Sequence, residues 1–211
     1  GRLGITSQEM AVEFVDAADK INVALGDDLG DDAVKNIGKL AQMFGDDKTK
    51  GLRGAMLATG SVVNELAQSS SASAGYLVDF TARLAGVGKQ AGLTQQQIMG
   101  FASVLDQNMQ QDEAAATAMQ NLIAKMFQDP AKFAALAGKS VKEFSSLIKN
   151  DANEALLQFF GAMKQRGGFE SLAPMFDQMG MDGSRCAAVF SVMADKLADI
   201  KTAQDIANDA Y

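Results

Sequence analysis

The stretch Lys89-Gln90-Ala91-Gly92-Leu93-Thr94-Gln95-Gln96-Gln97-Ile98 decides the fold. Gly92 can take the left-handed conformation that closes a helix. Two residues later Thr94 begins a capping box with Gln97, in which the cap oxygen serves the amide three residues on and the Gln side chain reaches back. The same joint recurs as Gly138-Lys139-Ser140 and Gly180-Met181-Asp182. Connections this short force a corner between successive helices. Gly92, Thr94, Gly138, Ser140, Gly180 and Asp182 are therefore the expected structural corners of a compact array of short helices.

Working outward, Thr6-Ser7-Gln8-Glu9, Ser140-Val141-Lys142-Glu143 and Asp151-Ala152-Asn153-Glu154 repeat the capping pattern. Asp129-Pro130 adds a start in which proline occupies the first helical position, where its missing amide has no partner to lose. Apolar residues recur at helical spacing in Met10, Phe14, Ile21 and Leu25, in Leu77, Phe80, Leu84 and Val87, and in Phe190, Met193, Leu197 and Ile200. Runs that alternate apolar and polar residues are nearly absent, so the chain reads as all-α. The signals predict helices near 7–25, 31–44, 50–68, 74–91, 95–108, 112–128, 130–137, 141–149, 152–165, 171–179 and 183–209, the last breaking near Thr202. Residues 26–32 and Gly45-Asp46-Asp47-Lys48 read as turns. The polar run Ser69 to Ser73 divides an N-terminal helical hairpin unit, 1–70, from a C-terminal helical unit, 71–211, unless the two form one continuous domain.

Composition removes most chemistry. The 211 residues contain no His, no Trp, two Pro and one Cys. Without His there is no Ser-His-Asp or Cys-His nucleophile, no His-bearing zinc site and no facial-triad iron site. One Cys allows neither an intrachain disulfide nor a thiolate cluster. A net charge of -7 argues against binding to nucleic acid or to an anionic membrane surface. No stretch approaches the roughly 20 apolar residues of a membrane span, and Glu9 and Glu13 are not expected in a signal peptide. No cofactor and no metal is expected. Gly1 stands where an initiator Met would be, so the chain reads as one excised section of a longer one.

Individual residues invite sharper readings. Asp27, Asp28, Asp31 and Asp32 resemble a hard-cation loop, but Leu29 and Gly30 break the alternate spacing that Ca²⁺ loops need, and acids ahead of a helix serve its caps and dipole. Cys186 follows Arg185 in the first turns of a helix, where the thiol could be activated; with Ala187, Phe190 and Met193 beside it, a small buried hydrophobe is the expected role. Glu170-Ser171 is similar to the Glu-Ser pair in which lytic transglycosylases carry their acid, although Leu172-Ala173-Pro174-Met175-Phe176 follows in place of their Gly-Leu-Met-Gln run. The glycines of Gly51-Leu52-Arg53-Gly54 and Gly86-Val87-Gly88-Lys89 lack the strand and Lys-Ser/Thr of a phosphate loop and read as helix glycines. Gly54, Ala58 and Gly60 would let another helix approach closely, and the twelve Met residues are expected to fill the core.

From about residue 50 onward the order of segments resembles the core region of phage tail tape measure proteins. The stretches that carry it are Leu77-Val78-Asp79-Phe80-Thr81-Ala82-Arg83-Leu84, Ala85 through Ile98, Glu113-Ala114-Ala115-Ala116-Thr117-Ala118-Met119, Phe133-Ala134-Ala135-Leu136-Ala137-Gly138 and Asn153 through Phe160. Gly168 through Leu172, then Met179 through Gly183 and Arg185, form its most specific block. The resemblance implies a structural, non-enzymatic section of a protein that sits in the lumen of the tail tube, assembled in the bacterial host cytoplasm, and helps set tail length. Its implied partners are the tail tube protein, tail tip or baseplate proteins, a tail assembly chaperone and further copies of itself. The alternatives are a muralytic domain using Glu170 and a non-viral helical interaction module. A lack of disulfides suits a chain that must be threaded through a narrow lumen.

Overall fold

The computed structural model describes residues 5, 7–26, 29–167 and 169–211, with side chains except at 31, 169, 170 and 172. These residues form an all-α array of twelve helices: α1 (Gln8–Leu25), α2 (Asp31–Met43), α3 (Asp46–Ser69), α4 (Ala74–Ala91), α5 (Gln95–Gln107), α6 (Asp112–Gln128), α7 (Pro130–Ala137), α8 (Val141–Asn150), α9 (Ala152–Gln165), α10 (Phe169–Gln178), α11 (Gly183–Asp195) and α12 (Leu197–Ala210). No strand occurs among the described residues.

The architecture is built around α5. Residues Ile98 to Leu105 are buried without interruption, the signature of a helix enclosed on all sides rather than one with a solvent face. The helices α3, α4, α6, α11 and α12 surround it. The helices α1 and α2 lie against α3, while α7, α8 and α9 pack on one another. A ladder of phenylalanines connects the C-terminal helices to this centre. Phe101 of α5 meets Phe160 of α9 edge-on at 6.4 Å, Phe160 lies 5.8 Å from Phe190 of α11, and Phe190 meets Phe176 of α10 at 5.1 Å. Phe159 turns the other way, onto Phe133 of α7 at 5.2 Å. Such tilted and edge-on pairs add to the burial of the rings. The apolar core runs continuously from Ala17 to Ala207, across the connector at 69–73.

The structure departs from the local signals in three places. The expected turn at Gly45-Asp46-Asp47-Lys48 is helical from Asp46, because Gly45 takes the left-handed conformation one residue earlier (φ 77°). Gly51, expected inside a helix, instead has φ 73° and ψ 161° and kinks α3 after its first turn. The last helix breaks at Lys196 (φ -113°, ψ 27°) rather than near Thr202. The reason is tertiary: α11 packs on α9 and α10 while α12 packs on α5 and α3, and one straight helix cannot follow both directions. Thr202 stays helical with its hydroxyl donating to the Ala198 carbonyl at 3.0 Å. At the other end Ser7 caps α1, accepting from the Met10 amide at 3.1 Å, and Thr6 lies outside the described residues.

Candidate functional site

The corner residues are set by bonds that span no more than six residues. Gly92, Gly138 and Gly180 have φ of 91°, 69° and 77°. In each, the glycine amide donates to the carbonyl three residues back and the next amide to the carbonyl five back: Leu93 to Gly88 at 2.9 Å, Lys139 to Ala134 at 2.9 Å and Met181 to Phe176 at 3.0 Å. This double bond closes a helix and satisfies two carbonyls that would otherwise have no partner. The following helix is then capped, with Thr94, Ser140 and Asp182 each accepting from the amide three residues on at 3.1 Å. Only Thr94 shows the full reciprocal box, its amide donating to Gln97 Oε1 at 3.0 Å.

A fourth corner carries no glycine and no signal in the sequence. Met109, 92% exposed, adopts φ 61°, and its amide and that of Gln110 make the same pair of bonds to Asp106 and Leu105. A β-carbon at Gly92 or Gly138 would meet nothing within 4 Å, so substitution there tests backbone conformation alone. Gly92→Val, Gly138→Val and Gly180→Val are each expected to lower stability by roughly 1–2 kcal/mol, and Met109→Gly to raise it by about 1 kcal/mol. Thermal midpoints check all four; opposite signs at the glycines and at Met109 are the expected pattern.

Two polar clamps, one buried and one part-buried, hold α12 in place. Asn153 of α9 and Gln204 of α12 exchange amide bonds at 2.8 and 2.9 Å, and Gln204 Nε2 also donates to the Gln97 carbonyl at 3.1 Å. Both side chains are buried, so the reciprocal pair is what makes their burial affordable. At the other end of α12, the Tyr211 hydroxyl donates to Asp46 Oδ2. Gln95 Nε2 donates to the same oxygen at 2.8 Å and Thr59 donates to Gln95 Oε1 at 3.0 Å. Burial first, then the bond to Asp46, holds the Tyr211 phenol above its ordinary pKa. The Lys50 ammonium lies 4.9 Å from the centre of the Tyr211 ring. None of these residues stands out in the sequence, apart from Gln204, a polar residue on the apolar face that Ile200, Ala203 and Ala207 define.

The residues singled out for chemistry are scattered. Cys186 is buried, and burial pushes its thiol up to about 11, Asp182 adding to the effect and Arg185 opposing it. The activation that the helix start and Arg185 could have supplied is outweighed by desolvation. Cys186 is therefore expected to resist iodoacetamide near pH 8 in the folded protein and to react readily in denaturant, as mass spectrometry of the alkylated chain would read. Of the four aspartates considered for a cation, Asp27 and Asp28 lie outside the described residues, as does the Asp31 side chain, and Asp32 is exposed. No group of three acidic, Cys or His side chains placed to hold a metal occurs among the described residues. Glu170 lies in the first turn of α10, its side chain outside those described. Of Gly54, Ala58 and Gly60, Gly60 marks a close helix approach, since a β-carbon there would lie 2.9 Å from Ile21 Cγ1 of α1.

One acidic pair was not legible beforehand. Asp79 of α4 and Asp112 at the start of α6 share a hydrogen bond that raises the Asp79 pKa and lowers that of Asp112. Arg83 Nε donates to Asp79 Oδ2 at 3.2 Å. Both carboxylates are half-exposed, without the enclosure that holds a catalytic acid protonated near neutrality. Their arrangement ties the end of the α5–α6 corner to α4, as does Tyr76, whose hydroxyl donates to the Gln110 carbonyl at 2.7 Å.

No helix among the described residues is long and apolar enough to cross a membrane. A family model described as phage-related minor tail protein matches residues 1–168. The match includes the first 50 residues and ends where the block Gly168 to Arg185 begins, so the family signal lies further toward the N-terminus than the resemblance placed it. No curated protein and no solved structure matches the chain.

Proposed function

The chain belongs to the phage-related minor tail protein family, and from that premise we propose that it is a section of a tape measure protein, a structural and non-enzymatic element that helps set tail length and scaffold the tail tube. The family match carries the reading. The physical character of the chain supports it: its helices are joined by local corners, and its single Cys leaves no covalent cross-link to resist extension. In this reading the protein occupies the lumen of the tail tube. It contacts the tube protein along its length, the tail tip or baseplate proteins at one end, and a tail assembly chaperone before the tube closes.

The test is an in-frame deletion of the segment encoding these residues in the phage, with tail length measured by electron microscopy. At 1.5 Å per residue a helical ruler of this size spans roughly 300 Å, so tails shorter by about that amount are expected. Tails of unchanged length would overturn the ruler and leave a tail component of another kind. The non-enzymatic part is tested separately by a peptidoglycan zymogram with the Glu170→Gln variant alongside. Absence of lysis from either protein is expected, and lysis lost in the variant would overturn it.

A further inference from the structure

We infer that α12 is a releasable strap, a helix that opens as a unit about Lys196 and uncovers one side of α5 while the helices before it stay folded. Its apolar anchorage is thin. The residues it buries are Ile200, Ala203, Gln204 and Ala207, one large apolar side chain beside two alanines and an amide. The preceding helix, α11, buries Val189, Phe190 and Met193 besides Cys186. Because apolar stabilisation follows the area removed from water, α12 gains far less from its seat than α11 does from its own.

Hydrogen bonds supply much of the remaining hold, and they are of a kind that water replaces. Gln204 is held by Asn153 and by the Gln97 carbonyl, and Tyr211 by Asp46, which is itself partly exposed. On opening, each group exchanges a protein partner for a solvent one, so the net contribution of each bond is modest. Solvent is already close. Two hollows follow the seam between α12 and α3, one of about 490 Å³ lined by Glu65 and Asp209 and one of about 140 Å³ lined by Ser70, Thr202 and Ser103 of α5. Polar walls of this kind suit water, which can follow α12 as it lifts.

The joint is suited to the movement. At Lys196 the backbone leaves the helical region (φ -113°, ψ 27°), and no side chain caps α12 there. The Lys196 amide donates to the Val192 carbonyl at 3.0 Å, so α11 completes its last turn at the pivot and keeps its own bonds when α12 swings away. Opening bares the strip of α5 around Gly100 against which Gln204 packs. The thinly held α1, which buries Ala17 and Ile21, covers α3 instead, and its opening leaves α5 enclosed. The equilibrium belongs to the isolated chain and stands whether or not the protein sets tail length, although a chain drawn out into a tube would yield here first.

Hydrogen exchange in heavy water, read by mass spectrometry of peptides over a series of low denaturant concentrations, tests it. Amides 201–210 of α12 are expected to exchange faster than the hydrogen-bonded amides of α5 and α9. Their rates should also depend less steeply on denaturant, because opening one helix exposes little surface. Tyr211→Phe keeps the ring and removes only the hydroxyl that reaches Asp46. It should speed exchange in α12 about fivefold. Amides that open without α12, such as those of α1, should keep their rates. Exchange of α12 at the rate and denaturant dependence of α5 would mean that it opens only with the whole fold, and would overturn the strap. So would a Tyr211→Phe variant whose α12 exchanges no faster than the parent's.

Discussion

Phe160→Ala is expected to destabilise the fold by about 4 kcal/mol, the range for removing a ring from a core that cannot collapse into the space. The ring is fully buried and touches Phe101, Phe159 and Phe190, so two helices besides its own, α5 and α11, lose a neighbour at once. For a chain of this length, each kcal/mol moves the midpoint by about 2–4 °C, which places the variant roughly 10 °C or more below the parent. Val23→Ala is the control: at 86% exposure it should change stability by about 0.5 kcal/mol or less. Denaturant titration of both would decide the matter, and equal midpoints would mean that the ladder of rings does not join α9 to α5 and α11.

Gly100→Ala should be nearly as harmful, although alanine is the better helix former by about 1 kcal/mol. The added β-carbon would lie 2.4 Å from Gln204 Cγ and 3.1 Å from the Gln204 backbone nitrogen, so α12 must move as a body. That movement breaks the amide exchange with Asn153 and leaves two buried amides unpaired, at about 1–3 kcal/mol for each unsatisfied group. Clash and lost pairing outweigh propensity, and a net loss of about 2–4 kcal/mol is expected. Gly86→Ala gives the opposite sign. A β-carbon there meets nothing within 4 Å on an exposed helix position, so it should stabilise by about 0.5–1 kcal/mol. Thermal melts of the two variants side by side check both; a stabilised Gly100→Ala would show that α12 is not seated on α5 at this point.

The helices themselves were legible because their ends are written in short-range chemistry. Ser140 reaches the Glu143 amide and Asp151 the Glu154 amide across three residues, so a reader of the chain sees both partners together. The corner at Met109 was invisible for a related reason. Its bonds are the same, but the residue that takes the left-handed conformation is one whose type does not announce it. Cys186 was legible on local grounds as well: Ala187, Phe190 and Met193 beside it mark a buried position, and that burial outweighs the neighbouring Arg185 in setting its thiol.

The sequence by itself determined that this protein is a series of short helices with glycine corners, since caps and reversals are satisfied within about six residues of where they are written. Only the tertiary structure decided that α5 lies at the centre, that the chain bends at Gly51 and Lys196, and that Gln204 pairs with Asn153, 51 positions away. Those outcomes depend on which apolar faces meet and which buried amides find partners across the fold. Burial is a property of the assembled helices, and no short window of the chain contains it.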